Sequence, residues 1–254
     1  MRSIRLFLIF ALLLCAATSN ACAAGEILIS AATSLKGAFE DLGALFEGNT
    51  GIRVRFNFGA SGLLEKQIEA GAPVDIFVSA SGKQLDDLRA KGQIFAETKR
   101  NLAENVLVLI TSSRPPLKLR SFSDLANPGI ERLAIGNPKT VPAGQYAEES
   151  LRSLKLWDKL QPRMILAENV RQVLDYVIRG EVSAGIVYAS DVLTAKGKVL
   201  IAATAPAGSH TRIFYPIAIV KGTQSRKNSQ RFIDFALGGA GQEILQKHGF
   251  LPPR

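Results

Sequence analysis

With 254 residues, 47% of them hydrophobic and 21% charged, the chain has ordinary globular composition and enough length for one large domain or two lobes. Its formal net charge is +9, but the basic residues are scattered singly and aromatics do not interleave with them. That argues against a nucleic-acid partner and for a general field that attracts anions. Both cysteines, Cys15 and Cys22, fall in the first two dozen residues. A chain cut after them has no disulfide, no cysteine metal ligand and no cysteine nucleophile.

Residues 1–24 read as a secretory signal peptide. Arg2 and Arg5 form a basic start, Leu6–Leu14 is an unbroken apolar run, and Ala21-Cys22-Ala23 supplies the small residues of a cleavage site. The run is too short to span a bilayer, and no later stretch reaches the required length. A lipid anchor is the competing reading. Neither cysteine has a convincing lipobox, since Leu14 precedes Cys15 and Ser19-Asn20-Ala21 precedes Cys22. A soluble, exported, periplasmic protein is expected, cut after Ala23 or Ala24; loss of the two arginines leaves it at +7.

The first mature stretch, Ile27–Leu35, reads as a buried strand running into Thr33 and Ser34, which sit where a helix N-cap belongs. The helix after them carries Leu35, Ala38, Phe39, Leu42, Leu45 and Phe46 at helical spacing. Ile52–Phe58 alternates as a strand, ends at Gly59-Ala60-Ser61-Gly62, and leads into a second helix. Strand, small residues, serine and helix thus occur twice. A helix start offers unpaired N–H groups and a partial positive charge, which together suit an anion. Serine as a mere cap is the plainer reading of one such motif, and the repetition weakens it.

Val74–Ser79 and Val106–Thr111 read as strands, with a helix over 82–91 between them. Leu117–Leu125 reads as a loop and Leu133–Gly136 as a strand. Val141-Pro142-Ala143-Gly144 opens a helix, Met164–Ala167 is a short strand, and Asn169 caps the helix that begins with Val170. Ala184–Tyr188 is a buried strand delivering a tyrosine at its C-terminal end. Val199–Thr204 and Ile213–Val220 are the last strands. Two helices follow, joined by a turn at Gly238-Gly239-Ala240-Gly241.

Alternating strands and helices with short loops predict an α/β fold with mostly parallel sheets. Ligands in such folds sit beyond the carboxyl ends of strands. Ser34, Ser61, Ala143, Val170 and Tyr188 all fall at such ends. Two lobes facing across a cleft would bring them together, with Val106–Thr111 and Ile213–Val220 as the crossings.

Catalytic alternatives find little support. Gly59-Ala60-Ser61-Gly62-Leu63 has leucine where a nucleophile elbow wants glycine, and neither His210 nor His248 ends a buried strand. A serine hydrolase using Ser61 is the rival from another class. Two isolated histidines with no cysteine do not make a zinc site. The glycine run after residue 237 follows a helix and lacks the Lys-Ser/Thr ending of a phosphate loop. Asp86-Asp87 and Glu148-Glu149 are neighbours that point apart on their helices.

The segments Ala31-Ala32-Thr33-Ser34-Leu35, Gly59-Ala60-Ser61-Gly62 with Gln67–Pro73, and Asp75-Ile76-Phe77 resemble the periplasmic molybdate-binding proteins of ABC transporters. So do Val141-Pro142-Ala143-Gly144, Asn169-Val170-Arg171, Gly185–Tyr188 with Ser190-Asp191, and Gly249-Phe250, in order along the mature chain. The resemblance implies a two-lobed periplasmic binding protein, lobe one being 25–104 plus 213–254 and lobe two 105–212. It implies that Ser34 and Ser61 give hydroxyl and backbone N–H, Ala143 and Val170 give backbone N–H, and Tyr188 gives a phenolic donor. The expected ligand is molybdate, with tungstate, passed to a membrane permease by a monomer that is no enzyme. No cofactor, no nucleic acid and no side-chain metal coordination are implied. A binder of sulfate or another tetrahedral oxyanion is the alternative within the class. Two departures stand out. Gly62 replaces a frequent serine, with the expected loss of a hydroxyl near the anion, and Asn169 replaces a frequent aspartate cap.

Overall fold

The computed structural model describes residues 25–115 and 117–253. The proposed leader lies outside the described residues. Two five-stranded sheets form the frame. The first is built from β1 (Glu26–Ala32), β2 (Arg53–Gly59), β3 (Ile76–Val78), β4 (Arg100–Glu104) and, from the end of the chain, β10 (Phe214–Ile219), in the order β2-β1-β3-β10-β4. The second contains β5 (Leu107–Ser112), β6 (Leu133–Gly136), β7 (Met164–Ala167), β8 (Ala184–Tyr188) and β9 (Val199–Thr204), in the order β7-β6-β8-β5-β9.

The two sheets have one plan. In the first, β1 pairs in parallel with β2 and β3, while β10 pairs antiparallel with β3 and β4. In the second, β6 pairs in parallel with β7 and β8, while β5 pairs antiparallel with β8 and β9. The sheets are therefore mixed rather than mostly parallel. The physical reason is the crossing of the chain: β5 and β10, the strands expected to link the lobes, enter their sheets against the direction of the βα units.

Helices cover the sheets: α1 (Lys36–Thr50), α2 (Ser61–Glu69), α3 (Gly82–Ala90), α4 (Pro142–Ser153), α5 (Trp157–Leu160), α6 (Val170–Ile178), α7 (Ala189–Thr194), α8 (Arg226–Leu237) and α9 (Gly239–Lys247). Most of the apolar stripe of α1 is buried as its spacing predicts, with Ala38, Phe39, Leu42 and Phe46 at 0–2% exposure, but Leu45 lies at the edge of the stripe and is 40% exposed. Phe39 and Phe46 meet Phe232 of α8 at ring separations of 6.1 and 5.2 Å, so the C-terminal helices close over the first sheet. Each fully buried side chain of this size contributes about 1.5–3 kcal/mol relative to exposure.

Three details differ from the sequence reading. β4 is a strand although Arg100-Asn101-Leu102-Ala103-Glu104 shows no apolar run; it lies at a sheet edge beside β10. The loop expected through Leu125 ends in a 3-10 turn over Phe122–Ala126, which buries Phe122 and Leu125. Of the expected glycine turn only Gly238 turns: α9 begins at Gly239, and a Cβ on Gly241 would meet the carbonyl of Phe235 at 2.5 Å. That glycine allows α8 and α9 to pack closely.

Candidate functional site

Four places where a strand gives way to a helix converge on one small cavity. From the first lobe come Ala32-Thr33-Ser34, in the short 3-10 turn before α1, and Gly59-Ala60-Ser61, where β2 enters α2. From the second come Val141-Pro142-Ala143 at the start of α4 and Asn169-Val170 at the start of α6. Ala80 and Tyr188 complete the wall. Ser34, Ser61, Ala143, Val170 and Tyr188 thus line a single cavity, and all five are buried. The first-turn amides of Ser61, Ala143 and Val170 have no carbonyl four residues back within their helices, so these donors remain for another partner.

Neither serine is a cap. Thr33 and Ser34 lie inside the 3-10 turn, and no side-chain bond caps either that turn or α1. Ser34 Oγ lies 3.0 Å from Tyr215 Oη, on β10. Ser61 is the first residue of α2, whose N-cap Ala60 has no side chain to spare for the task. Ser61 Oγ instead accepts the backbone N–H of Ala80 at 3.1 Å. Because that N–H can only donate, the Ser61 proton is left for the cavity. Asn169 does cap as expected, its Oδ1 accepting the N–H of Gln172 at 3.1 Å.

Tyr188 is 1% exposed, and among the described residues its hydroxyl makes no hydrogen bond of ordinary geometry, with the Tyr215 hydroxyl as its polar neighbour. Burial, with Tyr215, Tyr146 and Asp191 nearby, holds its ionisation well above the ordinary phenol value, so it stays a neutral donor. Behind it Asp191 Oδ2 accepts the Tyr188 backbone N–H at 3.1 Å. Burial pushes the Asp191 carboxyl up to about 6, against the opposing pull of Arg171 and the Tyr188 N–H.

Two close approaches set the shape. Gly62 does not line the cavity; its N–H donates across the cleft to the Thr140 carbonyl at 2.9 Å. A Cβ there would stand 2.8 Å from that oxygen, so the glycine brings the lobes together rather than costing the wall a hydroxyl. Gly144 lets α4 start flat against the end of β6, since a Cβ would overlap the Gly136 carbonyl at 1.9 Å.

No Lys, Arg, His, Asp or Glu appears in the cavity wall. Lys36 and Arg171 line an open groove just outside, which shares Thr33 and Asn169 with the cavity and also holds Glu40 and Asp175. Arg171 is bonded to Thr194. A wider groove between the lobes, about 580 Å³, is open to solvent. Several of its charges are engaged in ion pairs, such as Arg152–Glu148 and Arg212–Glu104, so it is the weaker candidate. The histidines have other partners: His248 Nε2 lies 2.9 Å from Asp41 Oδ2, and His210 Nδ1 2.6 Å from the Thr211 carbonyl. Among the described residues no cluster of three or more His, Cys, Asp or Glu could hold a metal ion, and no helix is long and apolar enough to cross a membrane.

Sequence reasoning missed Tyr215, Asn105 and the Ala80 amide. Tyr215 was hidden in the apolar run Ile213–Val220. The Ala80 N–H is a backbone group with no sequence signal.

The family model for bacterial extracellular solute-binding proteins matches residues 27–251. The molybdate-binding protein ModA of Escherichia coli K12 is 39% identical over 232 residues, covering 89% of each chain. The solved periplasmic molybdate-binding protein of Azotobacter vinelandii superposes with a TM-score of 0.83 at 28% identity, over 90% of this chain and 100% of that one. The sulfate-binding protein SubI of Mycobacterium tuberculosis shares the fold, with a TM-score of 0.79 at 16% identity over 90% and 87% of the two chains. The chain belongs to the bacterial extracellular solute-binding protein family.

Proposed function

We propose that this protein captures molybdate, and tungstate with it, and delivers the oxyanion to an ABC transporter permease. The observation that carries the reading is the composition of the cavity wall: neutral donors from four helix starts and a phenol, with no charged side chain. Molybdate, a doubly negative tetrahedral ion, presents oxygen acceptors in every direction and carries no proton at neutral pH. Helix starts turn amide N–H groups and partial positive charge toward such an ion. Each hydrogen bond to a charged group contributes on the order of 1.5–3 kcal/mol net, so about half a dozen support micromolar or tighter binding.

In this reading Ser34 and Ser61 give hydroxyl and amide, Ala143 and Val170 give amides, and Tyr188 gives its phenol. The metal keeps its own oxygen shell and meets no side chain directly. The lobes are 25–104 plus 213–254 and 105–212. Closure excludes water and strengthens each bond, and reopening releases the ion. The protein is exported, acts as a monomer and carries its cargo unchanged. A hydrolase using Ser61 is disfavoured because that oxygen receives an amide proton instead of facing a histidine.

Equilibrium dialysis of residues 25–254 against molybdate in excess of the expected dissociation constant, with molybdenum measured on both sides of the membrane, tests the reading. About one molybdenum per chain is expected. A chain that binds none, at concentrations where it is folded, refutes it.

A further inference from the structure

We propose that Tyr215 and Asn105 are positioning residues that hold the Ser34 hydroxyl as a donor and thereby favour oxyanions bearing no proton. The proposal rests on the reading of the cavity as an oxyanion site and adds a mechanism for its selectivity.

One unambiguous group fixes the first link of the chain of hydrogen bonds. The backbone N–H of Val106 can only donate, and it meets Asn105 Oδ1 at 2.9 Å. That fixes the orientation of the amide, so Asn105 Nδ2 faces Ser190 Oγ at 2.8 Å and Tyr215 Oη at 3.4 Å as a donor. The hydroxyls of Tyr215 and Ser34 lie 3.0 Å apart and either can donate; in the proposed arrangement Tyr215 Oη, accepting from Asn105, gives its one proton to Ser34 Oγ. Ser34 Oγ, accepting in turn, keeps its own proton for the cavity. The polarity runs from Val106 through Asn105 and Tyr215 to Ser34 and the anion. All four side chains in this chain of bonds, Ser190 included, are buried, so water does not readily scramble it.

The fold holds Tyr215 in place. β10 shifts register against β4 between Tyr215 and Pro216, and the Tyr215 ring is packed edge-on against Tyr188 and Phe250 at 5.8 and 5.2 Å. Ser61 is oriented the same way by an independent donor, the Ala80 amide. Both serines therefore present protons to the cavity. A hydrogen phosphate or hydrogen arsenate ion would bring a proton that meets donors only, whereas a proton-free dianion is satisfied on every side.

The test titrates wild type, Tyr215→Phe and Asn105→Asp with molybdate at pH 7.5 and measures displacement of molybdate by hydrogen phosphate. Anion-free melting temperatures report folding. Removing the Tyr215 hydroxyl frees a lone pair on Ser34, so molybdate weakens about tenfold while hydrogen phosphate weakens less. The molybdate-to-phosphate preference then narrows by about fivefold or more. Asn105→Asp draws the Tyr215 proton away from Ser34 and narrows the preference as well. Its added charge repels both dianions alike and cancels in the ratio. An unchanged ratio in the folded variants, including phosphate that fails to displace molybdate from any of them, overturns the proposal. If wild type takes sulfate in place of molybdate, the cargo assignment fails, and the same ratio taken with sulfate still reads the positioning role.

Discussion

The backbone N–H of Gly62, at the start of α2, donates to the carbonyl of Thr140, just before α4, at 2.9 Å. The bond joins the two lobes directly beside the cavity that both line, so lobe closure and the burial of Ser61 and Ala143 are geometrically tied.

Gly62→Ser is expected to separate the lobes by a few tenths of an ångström, since a Cβ would stand 2.8 Å from the Thr140 oxygen and 3.0 Å from its Cα. Loss of part of one hydrogen bond costs about 1 kcal/mol, several-fold in affinity, with no compensation from the added hydroxyl. Stopped-flow release of molybdate should show a faster off-rate at an unchanged melting temperature. Tighter binding would mean that the hydroxyl reaches the anion.

Tyr188→Phe should weaken molybdate binding by roughly 1–3 kcal/mol, the cost of an unmet charge-assisted bond. The ligand-free protein should lose little stability, because the hydroxyl makes no hydrogen bond of ordinary geometry among the described residues. Calorimetry and thermal melting together check both halves.

Ser61→Ala differs in kind. It removes a donor from the cavity and also leaves the Ala80 N–H buried without its acceptor. Both affinity and ligand-free stability should fall, each by about 1–3 kcal/mol. A variant that melts like wild type would show that water replaces the serine oxygen.

Asp191 predicts a pH dependence. Its folded value, about 6, lies above the ordinary 3.8, with burial as the main cause. The folded protein therefore binds the extra proton, and this residue's contribution to stability declines as pH rises through that window. Asp191→Asn keeps an acceptor for the Tyr188 N–H and removes the titration. The variant's stability relative to wild type should rise between about pH 4 and pH 6.5, by at most about 3 kcal/mol. Denaturant titrations across that range check it, and a difference that is flat or falls with pH contradicts it.

Much of the architecture was legible because burial leaves a mark on composition. Apolar runs such as Leu107-Val108-Leu109-Ile110 and Ala184–Tyr188 announce strands covered on both faces, and the stripe on α1 announces its buried side. The recurring strand–serine–helix motif pointed to helix starts at the ends of strands, and Ser34, Ser61, Ala143, Val170 and Tyr188 do line one cavity. What stayed hidden was carried by partners distant in sequence. Ser34 looked like a cap because its partner Tyr215 lies 181 positions away within a run that reads as plain core. Gly62 looked like a missing hydroxyl because its contact, Thr140, belongs to the other lobe. β4 escaped because an edge strand with polar ends carries no hydrophobic period.

The central claim is that uncharged amides and hydroxyls alone hold a proton-free tetrahedral dianion. Calorimetry of residues 25–254 against molybdate, tungstate, sulfate and hydrogen phosphate at one pH and ionic strength tests it most directly. The account predicts micromolar or tighter binding of molybdate and tungstate, weaker sulfate, and hydrogen phosphate weakest of all. Hydrogen phosphate binding as tightly as molybdate would contradict it.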